Sequence, residues 1–147
     1  MKKILVALII TLTITSALNA QLRKVPASVT EAFKTKFSSA SQVEWKDRII
    51  NFEASFLQDG ITKTAQFTKE GIWVQTMSTM AFSGLPAAVQ DGFKKSKYAD
   101  WEIKSVAVVE EKNKPIAYKV YIKKDDIQKR NLFFNKGGKL LKDNITV

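Results

Sequence analysis

The feature that most constrains how this chain can fold is a pattern written twice. Val25-Pro26-x-x-Val29-x-x-x-Phe33-Lys34 returns sixty residues later as Leu85-Pro86-x-x-Val89-x-x-x-Phe93-Lys94. In each copy the proline can open a helix, because at the first turn it forfeits only an amide that has no intrahelical partner. Val29 and Phe33, joined by Ala32 or Phe37, then fall on one helical face, while Lys34 and Lys36 point elsewhere. Two short amphipathic helices at a fixed interval predict two copies of one supersecondary unit.

The segments beyond the two helices repeat as well. Ser38-Ser39-Ala40-Ser41 closes the first helix with residues that favour turns over helix interiors. Val43-x-Trp45 begins a strand, and from Asn51 to Leu57 the side chains alternate, with Phe52, Ala54 and Phe56 on one side and Asn51, Glu53 and Ser55 on the other. Asp59-Gly60 is a hairpin turn signal before Ile61 to Phe67, and Lys69-Glu70-Gly71 turns the chain into Ile72 to Thr76. In the second copy, Ala99 to Ile103 matches Ala40 to Trp45 after a two-residue deletion, and Ala117 to Ile122 matches Asn51 to Phe56. Phe134-Asn135-Lys136-Gly137-Gly138-Lys139-Leu140 matches Phe67 to Trp73. The main insertion is the charged loop Glu110-Glu111-Lys112-Asn113-Lys114. The expected architecture is α+β, a tandem repeat of one helix packed on a four-stranded antiparallel sheet, with repeats at 21–84 and 85–147. Ser78 to Gly84, short and rather apolar, is expected to be a linker that packs at the junction.

Residues 1–20 read differently. Lys2 and Lys3 precede an apolar run from Ile4 to Leu18, which is the pattern of a secretory signal peptide and is shorter than the roughly 20 apolar residues needed to span a bilayer. Cleavage is expected near Ala20, with a cut after Ala17 as the other candidate, placing the mature protein in the periplasm or outside the cell with no transmembrane segment. That chain would carry 22 basic and 14 acidic residues, since the leader removes only Lys2 and Lys3. It has neither cysteine nor histidine, so it has no disulfides and lacks the commonest transition-metal ligands and the commonest general base. No cofactor and no catalytic residue is expected, and the protein is read as a monomer and not an enzyme.

The remaining motifs favour scaffold over chemistry. Trp45 and Trp101 share strand parity with Val43 and Ile103, so the tryptophans, Trp73 included, are read as core filler rather than a stacking platform for sugars. Glu44 and Glu102 occupy equivalent places in the two copies, too far apart for paired-carboxylate chemistry, which needs about 5–10 Å. Asp125-Asp126 has no calcium-loop spacing, and Lys136-Gly137-Gly138-Lys139 lacks the length and following helix of a phosphate loop; both are read as turns.

Charge is more informative. Residues 21–84 hold 8 basic and 6 acidic side chains, whereas residues 85–147 hold 14 and 8. If Tyr118, Val120 and Ile122 face the helix, then Lys119, Tyr121 and Lys123 face outward, together with Lys129, Asn131 and Phe133, and by the same reasoning Lys104 and Lys139. The matching face of the first copy shows Glu53, Ser55, Thr62, Thr64 and Gln66, nearly neutral. Lysines around Tyr121 and Phe133 compose a partner-binding surface of Lys104, Lys119, Tyr121, Lys123, Lys129, Phe133 and Lys139 for an acidic protein or an anionic envelope polymer such as a glycan or lipid headgroup. The other account is a solvated face that keeps an exported protein soluble. Nucleic acid fits the charge but poorly fits export.

The same residues carry a resemblance. Val-Pro-x-x-Val-x-x-x-Phe, then Ala-x-x-Val-x-Trp, an alternating aromatic strand, Gly and a final Gly-x-Trp strand resemble the PepSY-like domains of exported Bacteroidetes proteins, similar in fold to the β-lactamase-inhibitor protein. The resemblance covers Val25 to about Leu141 and implies tandem helix-on-sheet units, with no catalytic set to carry over. It implies a non-enzymatic binding role, with inhibition or modulation of an exported enzyme as the expected form. The second copy departs from the pattern, with Lys97 where Phe37 stands and Leu140 where Trp73 stands.

Overall fold

A computed structural model describes residues 24–146 of the 147-residue chain, so the expected leader lies outside the described residues. The elements run α1 (Ala27–Lys36), β1 (Ser41–Asp47), β2 (Asn51–Gln58), β3 (Ile61–Thr68), β4 (Trp73–Met80), a single 3₁₀ turn (Phe82–Gly84), α2 (Ala87–Lys94), β5 (Glu102–Glu111), β6 (Ala117–Lys123), β7 (Lys129–Asn135) and β8 (Leu140–Thr146). Each helix follows a proline, Pro26 or Pro86, and buries the two residues its pattern puts on one face: Val29 and Phe33, then Val89 and Phe93. Asp59 and Gly60 both have positive φ, the backbone of a tight two-residue hairpin turn.

The strands form one eight-stranded antiparallel sheet in sequence order, not the two four-stranded sheets that the repeat predicts. The reason is β4. Its register continues past Thr76, so that Ser78 pairs with Val108 and Met80 with Val106 on β5. Residues 78–80 are therefore strand rather than linker. Met80 and Phe82 pack against the second core, so the junction is filled as its apolar composition suggests.

Cross-strand pairing places both helices on the same side. Directly paired residues share a face, and so do residues two apart along a strand. Ala54 pairs with Ala65 and Ala65 with Thr76; Met80, on the same side as Thr76, pairs with Val106, and Val106 with Val120. Ala54 and Ala65 belong to the core under α1, with Phe33, Phe37, Phe52, Phe56 and Phe67; Val106 and Val120 belong to the core under α2, with Phe93, Ile122, Leu132 and Phe134. Phe33 meets Phe56 edge-on at 4.9 Å between centroids. The indoles act as filler: Trp45 and Trp73 pack on the first core and Trp101 on the second. Trp73 is fixed by its Nε1–H, which donates to Thr76 Oγ1 at 2.9 Å, and by Lys36 Nζ 4.0 Å from its ring centroid.

Two turn glycines seat the helices on the sheet. Gly71 and Gly138 have φ of +84° and +81°, and at each a Cβ would overlap a helix carbonyl, Ser28 in the first half and Ala88 in the second. Equivalent backbone bonds close the two turns, Gly71 N–H to Thr68 O and Gly138 N–H to Asn135 O. Gly60, at φ +76°, faces open space. Gly60→Ala should therefore cost only the left-handed backbone penalty, about 1–2 kcal/mol, whereas Gly138→Ala must also push α2 off the sheet and should cost clearly more. Chemical denaturation of both variants checks this; equal losses would contradict helix docking at Gly138.

Candidate functional site

With both helices on one side, no described element forms a layer over the other side of the sheet. Its rows read Lys46–Glu53–Gln66–Gln75–Glu111 and Glu44–Ser55–Thr64–Met77–Val109–Ala117–Asn135, followed by Ala107–Lys119–Phe133–Lys142. An uncovered flat face would leave its side chains accessible. Here Val109 is only 2% exposed and Glu53 only 7%. Lys119 on β6 is close enough to sense the charge of Glu53 on β2, although four strand spacings of about 4.8 Å separate them along a flat sheet. The uncovered face is thus the inner, concave side of a coiled sheet.

Glu53 lies on this face as the alternation requires, but it is buried rather than exposed as the sequence suggests. Arg48, from the β1–β2 turn, donates to Oε1 from Nη2 at 2.8 Å and Nε at 3.2 Å, and Gln66 donates to Oε2 at 2.9 Å. Burial pushes the carboxyl upward, but the hydrogen bonds from Arg48 and Gln66 and the charges of Arg48 and Lys46 outweigh it, and the net shift is downward. Both oxygens are engaged, so Glu53 fixes the floor of the face and has little left for a partner.

The lysines have different surroundings. Lys119, half-buried, has no ion-pair partner among the described residues; burial pushes its ammonium down, partly opposed by Glu53. Tyr121, paired with Ser105 and Asn131, is half-buried beside it. Lys123 and Lys129 face one another across β6 and β7, and Asp126 pairs with Lys123 at 2.6 Å. Lys104 sits in a bulge of β5 and pairs with the exposed Glu102 at 2.9 Å. Lys139 lies past the end of the ladder, in the β7–β8 turn, where its N–H donates to Asn135 Oδ1 and its carbonyl accepts from Asn135 N–H. The face therefore brings together Lys119, Tyr121, Lys123, Lys129 and Phe133, with Lys104 at their edge and Lys139 in the turn beyond β7. Lys123 and Lys104 are occupied by solvent-screened surface ion pairs.

Sequence reasoning passes over a recess on this side. Glu111, Ala117, Phe133, Asn135 and Lys142 of the uncovered face, with Ile116 from the β5–β6 loop and Leu141 from the bulge that opens β8, line a groove of about 510 Å³. Ile116 is 48% exposed and Leu141 51%. The available signal is Pro115-Ile116, an apolar pair directly after the charged insertion. Lys114 pairs with Glu111 at the rim.

On the helix side, a polar cluster ties the edge strand down. The Tyr98 hydroxyl and Arg130 Nη1 both donate to Asp143, the latter at 2.7 Å, and Tyr98 rather than Lys97 fills the core position beyond α2. Among the described residues, no group of three or more His, Cys, Asp or Glu could hold a metal ion, and no helix is long and apolar enough to cross a membrane.

This arrangement of helices on one side of a single curved sheet is shared with known proteins. The sequence profile of the family described as "Putative beta-lactamase-inhibitor-like, PepSY-like" matches residues 50–142. The chain belongs to the PepSY-like family. Among solved structures, a DUF2874 family protein from Bacteroides ovatus is 27% identical, with TM-score 0.76 over 83% of this chain and 88% of that one. A BLIP-like protein from Bacteroides fragilis is 26% identical, with TM-score 0.73 over 82% and 86%. At 22% identity, a Bacteroides eggerthii protein described as a putative periplasmic protein shares the fold, with TM-score 0.77 over 83% and 89%. No curated protein matches the sequence.

Two carboxylates of this PepSY-like chain, the buried Glu53 and the partly buried Asp143, set its acid sensitivity. Asp143, like Glu53, is pushed up by burial but more strongly down by its partners, here Tyr98 and Arg130. Because both pKa values are lower folded than unfolded, their contribution is complete at neutral pH and is lost as pH falls through and below the ordinary carboxylate range of about 4–4.5. Replacing both in Glu53→Gln/Asp143→Asn should cost about 1–3 kcal/mol per site at pH 7 and flatten the decline of melting temperature below about pH 5. Parallel pH profiles for the two proteins would contradict this.

Proposed function

We propose that this protein is an exported, non-enzymatic binding protein that seats a protein partner in the concave face, as an inhibitor or modulator of a periplasmic or secreted enzyme. One observation carries the reading: eight strands present an uncovered inner face whose floor is preorganised by the Arg48–Glu53–Gln66 network. Such a face offers a partner shape complementarity at small ordering cost, which decides affinity more than area does. The PepSY-like, inhibitor-like family description and the BLIP-like relative support an inhibitory form of binding. The leader read at residues 1–20, cut near Ala20, and the relative described as periplasmic support export. The matching glycine–helix contacts, Gly71 with Ser28 and Gly138 with Ala88, support residues 21–84 and 85–147 as copies of one unit built into the shared sheet.

Affinity capture from culture medium and cell envelope with the leaderless protein tests the reading. Thr64, in the middle of the concave face, is the blocking position. Capture of one protein, accompanied by loss of that protein's activity in the complex, abolished by Thr64→Arg and maintained in high salt, is the expected result. Capture that survives Thr64→Arg, or retention of only anionic glycan or lipid lost steeply with salt, would overturn it.

A further inference from the structure

The concave face and the groove meet along one row. Lys119, Phe133 and Lys142 are direct cross-strand neighbours on β6, β7 and β8. Phe133 is thus a wall of the groove and the spacer between two lysines, and adjacent strands are about 4.8 Å apart. The groove's other apolar walls, Ile116 and Leu141, are about half exposed, and neither belongs to the two core clusters of the described residues.

Lys119 has no obvious structural use. It is half-buried, its ammonium is disfavoured by desolvation, and neither it nor Lys142 has an ion-pair partner among the described residues. By contrast, the nearby Glu111 is held by Lys114, and Glu53 by Arg48. The carboxylate that lines the groove is therefore already paired, while Lys142 at the groove and Lys119 in the adjoining row are not. That asymmetry selects for an arriving anion and against an arriving cation. A cation kept partly desolvated and unpaired is also preorganised: an incoming carboxylate gains a charge-assisted hydrogen bond without first displacing another partner.

We propose that this junction is a side-chain recognition site for an acidic-apolar segment of the partner protein. A Leu- or Phe-sized side chain enters the groove between Ile116, Phe133 and Leu141, and an adjacent Asp or Glu carboxylate bridges Lys119 and Lys142. The proposal rests on the concave face being the binding surface, and it locates the anchor at one end of that face. A buried apolar anchor flanked by a desolvated charge pair is the composition of an interface hot spot.

The test uses the ¹⁵N-labelled leaderless protein and four probes followed by amide chemical shifts: acetyl-Asp-Leu-Phe-Asp-amide, its analogue with both Asp replaced by Asn, its analogue with Leu-Phe replaced by Ser-Ser, and decanoate. The acidic-apolar peptide should give saturable shifts at Ala117, Lys119, Phe133 and Leu141, with both analogues at least about tenfold weaker, a difference of about 1.4 kcal/mol. Lys119→Gln and Ile116→Asp should each weaken that peptide by a similar factor, with the rest of the spectrum unchanged as proof of folding. No saturable shift, equal binding of the Asn analogue, or binding of decanoate without the peptide would overturn the proposal, the last by making the groove a fatty-acid site. In the capture experiment, loss with Thr64→Arg but not with Lys119→Gln overturns this site and leaves the concave-face reading standing. Capture insensitive to both removes both.

Discussion

The ladder between β4 and β5 is the interaction on which the rest of the molecule depends. Each helix with its four strands is a layer of about sixty residues, a size at which a lone core is marginal. Pairing from Gln75–Glu111 to Met80–Val106 gives both layers a neighbour at their most vulnerable edge and satisfies two rows of backbone groups that would otherwise face solvent. It also fixes which side each helix occupies. Since paired residues share a face, the register of this ladder puts α1 and α2 together and leaves the opposite side of eight strands uncovered by any described element.

The uncovered side has an uneven chemistry set by where its charges find partners. Its first-half carboxylate is quenched by an arginine from its own hairpin and a glutamine across the strand, making a rigid polar floor. Its second half carries the lysines, of which Lys104 and Lys123 are held by nearby acids while Lys119 and Lys142 are not. The two halves share a backbone plan and differ in what they show to solvent. The scaffold residues are repeated because helix docking and strand parity demand them twice, while the concave positions are free to diverge.

Local signals make much of this legible in the sequence. Both helices, the Asp59-Gly60 hairpin, the docking glycines and the inside-outside parity of β2, β6 and β7 depend on periodicities of two and 3.6 residues and on glycine at positive φ. The remaining features are nonlocal. Ser78 to Met80 carries no apolar alternation, so nothing in that stretch declares a strand; it becomes one because β5 supplies the missing hydrogen bonds. Parity assigns Glu53 and Lys119 to the outer side correctly, but curvature buries the first and half-buries the second, and curvature comes from the twist of the whole sheet. The groove unites Ile116, Phe133 and Leu141 from a loop, a strand and a bulge, which no single-segment period can reveal. Lys139 differs from the other lysines in sitting in a turn, held by backbone bonds to Asn135 rather than by the ladder.

Native-state hydrogen exchange along β4 and β5 tests the central claim most directly, because it asks whether the two halves open as one. If the sheet is continuous, the hydrogen-bonded amides between Gln75 and Met80 and between Val106 and Glu111 should exchange with the same free energy as those of β2–β3 and β6–β7, that of global unfolding. Exchange of the β4–β5 amides at a distinctly lower free energy, with the two outer ladders still protected, would mean two separable layers and would contradict a single concave face.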